Sequence, residues 1–336
     1  MRIGYVYTNK PDWPKSLWVR NALERLGHEV RQVTTLDELR SADAKSDLIL
    51  FQHKNAGLHP SAVINLAPTR NSFWAQWWFD LILGVPGKPL TEQHQFYGHG
   101  RLMKAMDAVF VKEAEELHQF EAEGIRAVYL DQGAPQELQM IQDAPKRWDF
   151  IVWGQSSHEY RERNQDALAL AKAGYRVLWI GPQSPPHGVE HHPWTHPENL
   201  HTICSQARAV LSVDARNDVA GYVSDRFWMA AAMGCAIFKR FSPGFVAGPF
   251  ITYSDVGELL SQAETVLSRP GISGADTQRT PSDSQDDAES LSIPSKSSPH
   301  PGFSPHEVRQ WALSNHSIDQ RCETLLESVA TAMAAA

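Results

Sequence analysis

The chain has 336 residues, 42% of them apolar, and its 31 Lys and Arg against 39 Asp and Glu give a formal net charge of −8. That length is more than one core usually serves and suits two domains, while the acidic balance argues against a basic nucleic-acid-binding coat and leaves only a local basic groove open. No run reaches the roughly 18 consecutive apolar residues of a membrane span, the opening Met1-Arg2-Ile3-Gly4-Tyr5-Val6-Tyr7 reads as a strand rather than a signal peptide, and three scattered cysteines without metal-type spacing fit free thiols in a reducing cytoplasm.

Short apolar runs alternate with helical periods twice along the chain. In the first half, Ile3 to Tyr7 predicts a strand, and Pro14 to Gly27 predicts a helix with Trp18, Ala22, Leu23 and Leu26 on one face and Gly27 as its stop. Further strands are expected at 29–33, 47–52, 73–79, 108–112 and 127–130, with a helix over 113–124. Pro145-Lys146-Arg147 reads as a hinge. The pattern then restarts with a strand at 149–154 ending on Gly154, a helix at 161–174, strands at 175–180 and 209–213, a helix at 222–233 and a strand at 235–239. Strand, helix, strand at this spacing means βαβ units and parallel sheets. The expected fold is therefore α/β: two Rossmann-like, doubly wound domains whose strand C-termini face a central cleft.

The boundaries that follow are an N-terminal domain over 1–145, a second domain over 146–268, an insert over 269–304 and C-terminal helices over 305–336. Ser, Pro, Asp and Gly dominate the insert, so it cannot bury enough apolar surface to offset its ordering entropy and is expected to be a flexible surface segment. Eleven tryptophans are many for this length. Most read as core, although indoles also floor sugar and nucleobase pockets.

The most informative stretch is Tyr222-Val223-Ser224-Asp225-Arg226-Phe227-Trp228-Met229-Ala230-Ala231-Ala232-Met233-Gly234. A polar loop opens an Ala-rich helix, and the free N–H groups and dipole of such a start favour an anion. Arg226 adds a guanidinium fork that suits phosphate oxygens. Without further context, the same residues also read as an N-cap at Ser224 or Asp225 followed by a solvated arginine.

This segment resembles the donor-binding helix of GT-B glycosyltransferases, especially the spore-coat maturation type (the CgeB-like group), whose motif runs Ser-Asp-Arg, apolar residues, Glu-Ala and Ala-x-Gly before a strand. The opening strand with Lys15-Ser16-Leu17-Trp18 is similar to that family's first strand and helix. So are Asp107 to Lys112 with Tyr129 to Gly133, Trp148 to Gly154 with Arg161, and the closing Asn315-His316-Ser317-Ile318-Asp319-Gln320-Arg321. The resemblance covers most of the chain outside the insert. It implies a GT-B architecture, a nucleotide-sugar donor (a UDP-sugar foremost) held by the second domain, an acceptor on the first, and no Asp-x-Asp metal motif. One departure stands out: Met229 occupies the position of the family's ribose-binding glutamate, and a thioether is a poor partner for hydroxyls. An inactive nucleotide-sugar or sugar binder on the same scaffold is the alternative this suggests.

A second donor element is Gly154, where the missing side chain lets backbone approach a ligand, with Arg161 or Arg163 one turn on to balance the charge of a departing diphosphate. A capped helix with surface ion pairs is the plainer reading. On the acceptor side, His53 follows an apolar strand and Asp80 closes another. Both are candidate general bases, while Asp12 and Lys15 in the first loop are placed to touch acceptor or phosphate. The five histidines between His187 and His201 lack the helical spacing of a zinc site and, interleaved with prolines, read as a loop. The nearest approach to a metal-binding acid pair is Asp214-Ala215-Arg216-Asn217-Asp218, with a cation between its acids. Neither opening strand is followed by Gly-x-Gly-x-x-Gly, which disfavours a nicotinamide dehydrogenase. The expectation is thus a cytoplasmic, metal-independent glycosyltransferase without a bound cofactor. Its acceptor stays open among glycan, protein, small molecule and modified DNA base.

Overall fold

The structure, a computed structural model, describes residues 1–7, 14–52, 58–83, 85, 88–157, 160–267 and 302–335. The expected insert lies outside these except for residues 302–304.

The first half comprises β1 (Arg2–Val6), α1 (Lys15–Arg25), β2 (Glu29–Val33), α2 (Leu36–Asp43), β3 (Leu48–Gln52), α3 (Pro60–Leu66), β4 (Phe73–Trp77), α4 (His94–Met103), β5 (Ala108–Val111), α5 (Leu117–Ala122) and β6 (Ala127–Tyr129). Its strands form a parallel sheet in the order β2-β1-β3-β4-β5-β6. Near-continuous apolar runs such as Leu48-Ile49-Leu50-Phe51 are buried on both faces, as helix-covered parallel strands must be. The second half comprises β7 (Trp148–Trp153), α6 (Arg161–Lys172), β8 (Val177–Ile180), β9 (Glu190–His192), α7 (Pro197–Ser205), β10 (Ala207–Ser212), α8 (Asp225–Ala232), β11 (Ile237–Arg240), β12 (Ile251–Tyr253), α9 (Val256–Val266), α10 (Pro305–His316) and α11 (Ile318–Ala334). Its sheet, again parallel, runs β12-β11-β10-β7-β8-β9. The two doubly wound sheets expected from the sequence are both present.

In each sheet the strand order reverses beside the first strand, between β1 and β3 and between β7 and β10. Helices leave in opposite directions at such a point, so the loops after those strands border a crevice. The chain passes between the halves twice, and the two passages are bonded to each other. Ala134 N donates to His316 O at 2.7 Å, and Ile318 N donates to Ala134 O at 3.1 Å. Gly133 permits this approach, because a Cβ there would lie 2.6 Å from the Ser317 and Ile318 backbone. Beyond the crossing, α10 packs on α8 of the second half and α11 on α1 of the first.

Two stretches differ from expectation. The helix foreseen over 113–124 is only α5, because the buried Glu113 carboxylate turns back to accept from Leu83 N at 3.1 Å and from Ile82 N at 2.5 Å. The histidine-rich stretch foreseen as a loop contains β9 and the start of α7. Pro197 opens that helix, where its missing N–H costs nothing, and the His196 ring accepts from Glu198 N.

Candidate functional site

The crevice between the halves holds a cleft of about 320 Å³. From the first half, Lys15 at the start of α1 and Phe79 and Asp80 after β4 line it. The second half contributes Gly154 and Gln155 after β7, Pro182 and Trp194 around β9, and Tyr222, Ser224, Asp225 and Arg226 at the start of α8.

The start of α8 is fixed from behind. Asp214, just past β10, is fully buried and pairs with Lys239 Nζ at 2.9 Å, and its other oxygen accepts from Ser224 N at 3.0 Å. Burial would raise the Asp214 pKa, but Lys239 and the Ser224 bonds hold it below the usual carboxylate range. The Ser224 side chain does not cap the helix. The N–H groups of Asp225 and Arg226, in the first turn, have no intrahelical acceptor, so the helix presents donors and its positive end to the cleft.

The first half closes over this helix start with two lysines. Lys15 Nζ lies 2.8 Å from Asp225 Oδ2, with both side chains about nine-tenths buried. Burial opposes the Asp225 charge, but Lys15 and Arg226 hold its pKa down. Lys112 is fully buried; its ammonium donates to Val223 O, lies 3.3 Å from Asp131 and sits 4.8 Å from the Tyr222 ring centroid. Asp80 is exposed at the cleft, close enough for its charge to act on Lys15 and Tyr222.

The three arginines singled out from sequence separate sharply. Arg226 lines the cleft, and no hydrogen bond or ion pair to its guanidinium occurs among the described residues. Burial works against its charge, yet Asp225 outweighs this and its pKa is raised. Arg163 is buried and committed to the backbone: it donates to Val213 O at 2.7 and 3.0 Å and to Gln155 O at 3.1 Å. Burial, with Arg226 beside it, pushes its pKa down to about 9. Arg161 is exposed and does not line the cleft. Of these two, Arg163 is spent on tying loops, and Arg161 is exposed outside the cleft lining. Gly154 is where the buried and the cleft arginine meet. Its φ is 124°, and a Cβ there would lie 2.9 Å from Arg163 Nη1 and 3.2 Å from Arg226 Nη1.

His53 and Asp12 lie outside the described residues. Met229 is buried and lines, with Asp225, a small and mostly apolar chamber beside the cleft. The histidines hold separate local bonds, His191 to Gly181 O and His201 to Glu198 O. Of the Asp214 to Asp218 stretch, Asp214 is taken by Lys239, and Asp218 is gripped by Arg216 at 2.6 and 2.7 Å. Sequence reasoning missed Trp194, Pro182 and Tyr160 as cleft residues. The surplus of tryptophan was the available signal, and it did not say which indole.

No protein-family model matches the chain, and no curated protein does. Solved structures do. AviGT4, a glycosyltransferase involved in avilamycin A biosynthesis, is 13% identical with a TM-score of 0.60, over 100% of this chain and 99% of that one. A DNA-modifying β-glucosyltransferase, studied with and without its substrate uridine diphosphoglucose, is 10% identical with a TM-score of 0.62, over 98% and 99%. The T4 phage enzyme in complex with UDP and Mn²⁺ is 13% identical with a TM-score of 0.51, over 100% and 98%. The fold is thus that of the two-domain GT-B glycosyltransferases.

Proposed function

We propose that this chain is a glycosyltransferase that moves a sugar from a nucleoside diphosphate, foremost UDP, to an acceptor hydroxyl held by the first half. The observation that carries this reading is Arg226: a charged guanidinium with no hydrogen bond or close ion pair among the described residues, on the first turn of α8, in a cleft between two Rossmann-like halves. A diphosphate would accept from Arg226 and from the first-turn N–H groups, and the Gly154 backbone leaves room for it. The acceptor oxygen attacks the anomeric carbon and its proton passes to Asp80, the described residue best placed as base. The bond to the β-phosphate oxygen breaks, and the electron pair and charge go to the diphosphate beside Arg226. Pro182 and Trp194 border the part of the cleft left for the nucleobase. Ser224-Asp225-Arg226 at the head of this helix supports a place near the spore-coat maturation type.

The reading includes independence from divalent metal, since arginine and helix donors supply the positive charge, while Asp214 and Asp218 are both occupied by cations. The test incubates the protein with UDP-, GDP- and TDP-sugars, with EDTA or with Mn²⁺, and follows sugar release and thermal shift. Glycans, peptides, small alcohols and hydroxymethylated DNA are offered as acceptors. Turnover that survives EDTA is the expected result. Turnover abolished by EDTA and restored by Mn²⁺ would overturn the arginine assignment. Thermal shift without any turnover would favour the inactive binder, the reading that Met229 suggests.

A further inference from the structure

Directly behind the Lys15–Asp225 pair lies a second, smaller chamber of about 20 Å³. It shares Lys15, Phe79 and Asp225 with the cleft and therefore adjoins it. Its walls are mostly apolar, from Trp18, Phe79, Met229 and Ile318, but Trp77 and Gln132 also line it. Trp77 is 1% exposed and Gln132 is 6% exposed, and Trp77 Nε1 and Gln132 Oε1 are buried with no hydrogen-bond partner among the described residues. Gln132 is held by its other end, since its Nε2 donates to Phe79 O at 2.6 Å. That bond fixes the amide and leaves the oxygen as a lone acceptor.

A buried donor and a buried acceptor left unpaired are costly, and native proteins rarely keep them without a ligand or water to satisfy them. The chamber has one unpaired N–H, one unpaired C=O and space for about one water-sized group. A sugar hydroxyl, taking the place of a water, can accept from one and donate to the other. On the reading of the cleft as a nucleotide-sugar site, the group that follows the diphosphate past Arg226 and Asp225 is the transferred sugar. We infer that this chamber is the subsite for the 6-hydroxyl of a hexose, accepting from Trp77 Nε1 and donating to Gln132 Oε1, and that it selects hexoses bearing a neutral hydroxymethyl group. A sugar lacking that hydroxyl leaves both protein atoms unpaired. A 6-carboxylate brings a second anion beside Asp225, against apolar walls.

The experiment measures binding of pairs that differ only in the 6-hydroxyl, by calorimetry on the intact protein: UDP-glucose against UDP-6-deoxyglucose, GDP-mannose against GDP-6-deoxymannose, and TDP-glucose against TDP-6-deoxyglucose. UDP-glucuronate and the free diphosphates are added. Within the pair whose base is accepted, the 6-hydroxyl sugar should bind at least about tenfold tighter. Trp77→Phe should erase that advantage and leave affinity for the free diphosphate unchanged. Equal binding within the accepted pair, or UDP-glucuronate binding as tightly as UDP-glucose, overturns the subsite and leaves the glycosyltransferase reading intact. Failure of every nucleotide and nucleotide sugar to bind overturns both. The pairwise comparison needs only the unaltered protein, so it decides the matter even where Trp77→Phe does not fold.

Discussion

Arg163 and Arg226 lie on either side of Gly154, and the difference between them is what each guanidinium finds to bond. Arg163 ties the end of β10 to the loop after β7 through Val213 O and Gln155 O. The Arg226 fork has no such partner among the described residues and lines the cleft. Arg226→Ala should therefore weaken nucleoside diphosphate binding by roughly 1.5–3 kcal/mol, the value of a charge-assisted contact, while the protein stays folded. Arg163→Ala should instead destabilise the fold by more than about 2 kcal/mol, through lost bonds and a cavity, and Arg161→Ala should alter neither. Titration calorimetry and thermal melts on the three variants check this, and an unaltered affinity in Arg226→Ala would sink the diphosphate assignment. Sequence pattern marked all three arginines, because helix position is legible from periodicity. Which of them turns inward was not, since the carbonyls that claim Arg163 come from Gln155 and Val213, and the latter is remote in sequence.

At the scale of elements, the junction of α10 and α11 joins the two halves, and its ends are defined by Ser317, which caps both helices. His316, just before it, packs against Trp228 and Trp311 at centroid distances of 5.0 and 4.8 Å, and Arg321 Nη2 donates to its Nδ1 at 3.0 Å. Burial, and then the Arg321 charge, lower its pKa to about 4, against an ordinary value of about 6.5. As pH falls, the unfolded chain takes up this proton before the folded one does. The contribution of His316 is therefore complete above about pH 6.5 and is lost as pH falls toward 4. Melting temperature followed from pH 7.5 to 4.5 should drop more steeply for the natural protein than for His316→Phe, and parallel curves would contradict the assignment. Both helices were legible from apolar periodicity at the C-terminus. Their packing on opposite halves was not, because it depends on Gly133 and Ala134 meeting Ser317 across the fold. The elements left unforeseen, α2, α3, α4, α7, α9, β9 and β12, are helices of 7 to 11 residues and strands of 3, lengths that are marginal until the sheets they cover or join have formed.

For the molecule as a whole, the decisive link is the one that sets the halves against each other at the cleft. Lys15 belongs to the first half and Asp225 to the second, and neither residue announces the other in the sequence, since their pairing exists only once both sheets have formed and closed. The pair is 2.8 Å long with side chains 11% and 12% exposed, so it is largely withdrawn from water, and each charge depends on the other to offset its desolvation. Lys112 does not substitute for Lys15, because its ammonium is taken by Val223 O and Asp131. Lys15→Met should therefore leave a buried carboxylate with Arg226 as its main remaining cation and cost about 3 kcal/mol, the low end for breaking such a pair because that cation stays and the cleft admits some solvent. Asp225→Asn should cost less, because the charge of Asp80 still acts on the Lys15 ammonium. In Lys15→Met combined with Asp225→Asn, neither charge is stranded, so the double variant should be more stable than the sum of the single losses by about 2 kcal/mol or more. Denaturant melts of the four proteins measure the coupling directly. Strictly additive losses would mean that this ion pair does not contribute to closing the cleft, and that the halves are held by their shared apolar core and by links such as Lys112 to Val223 O.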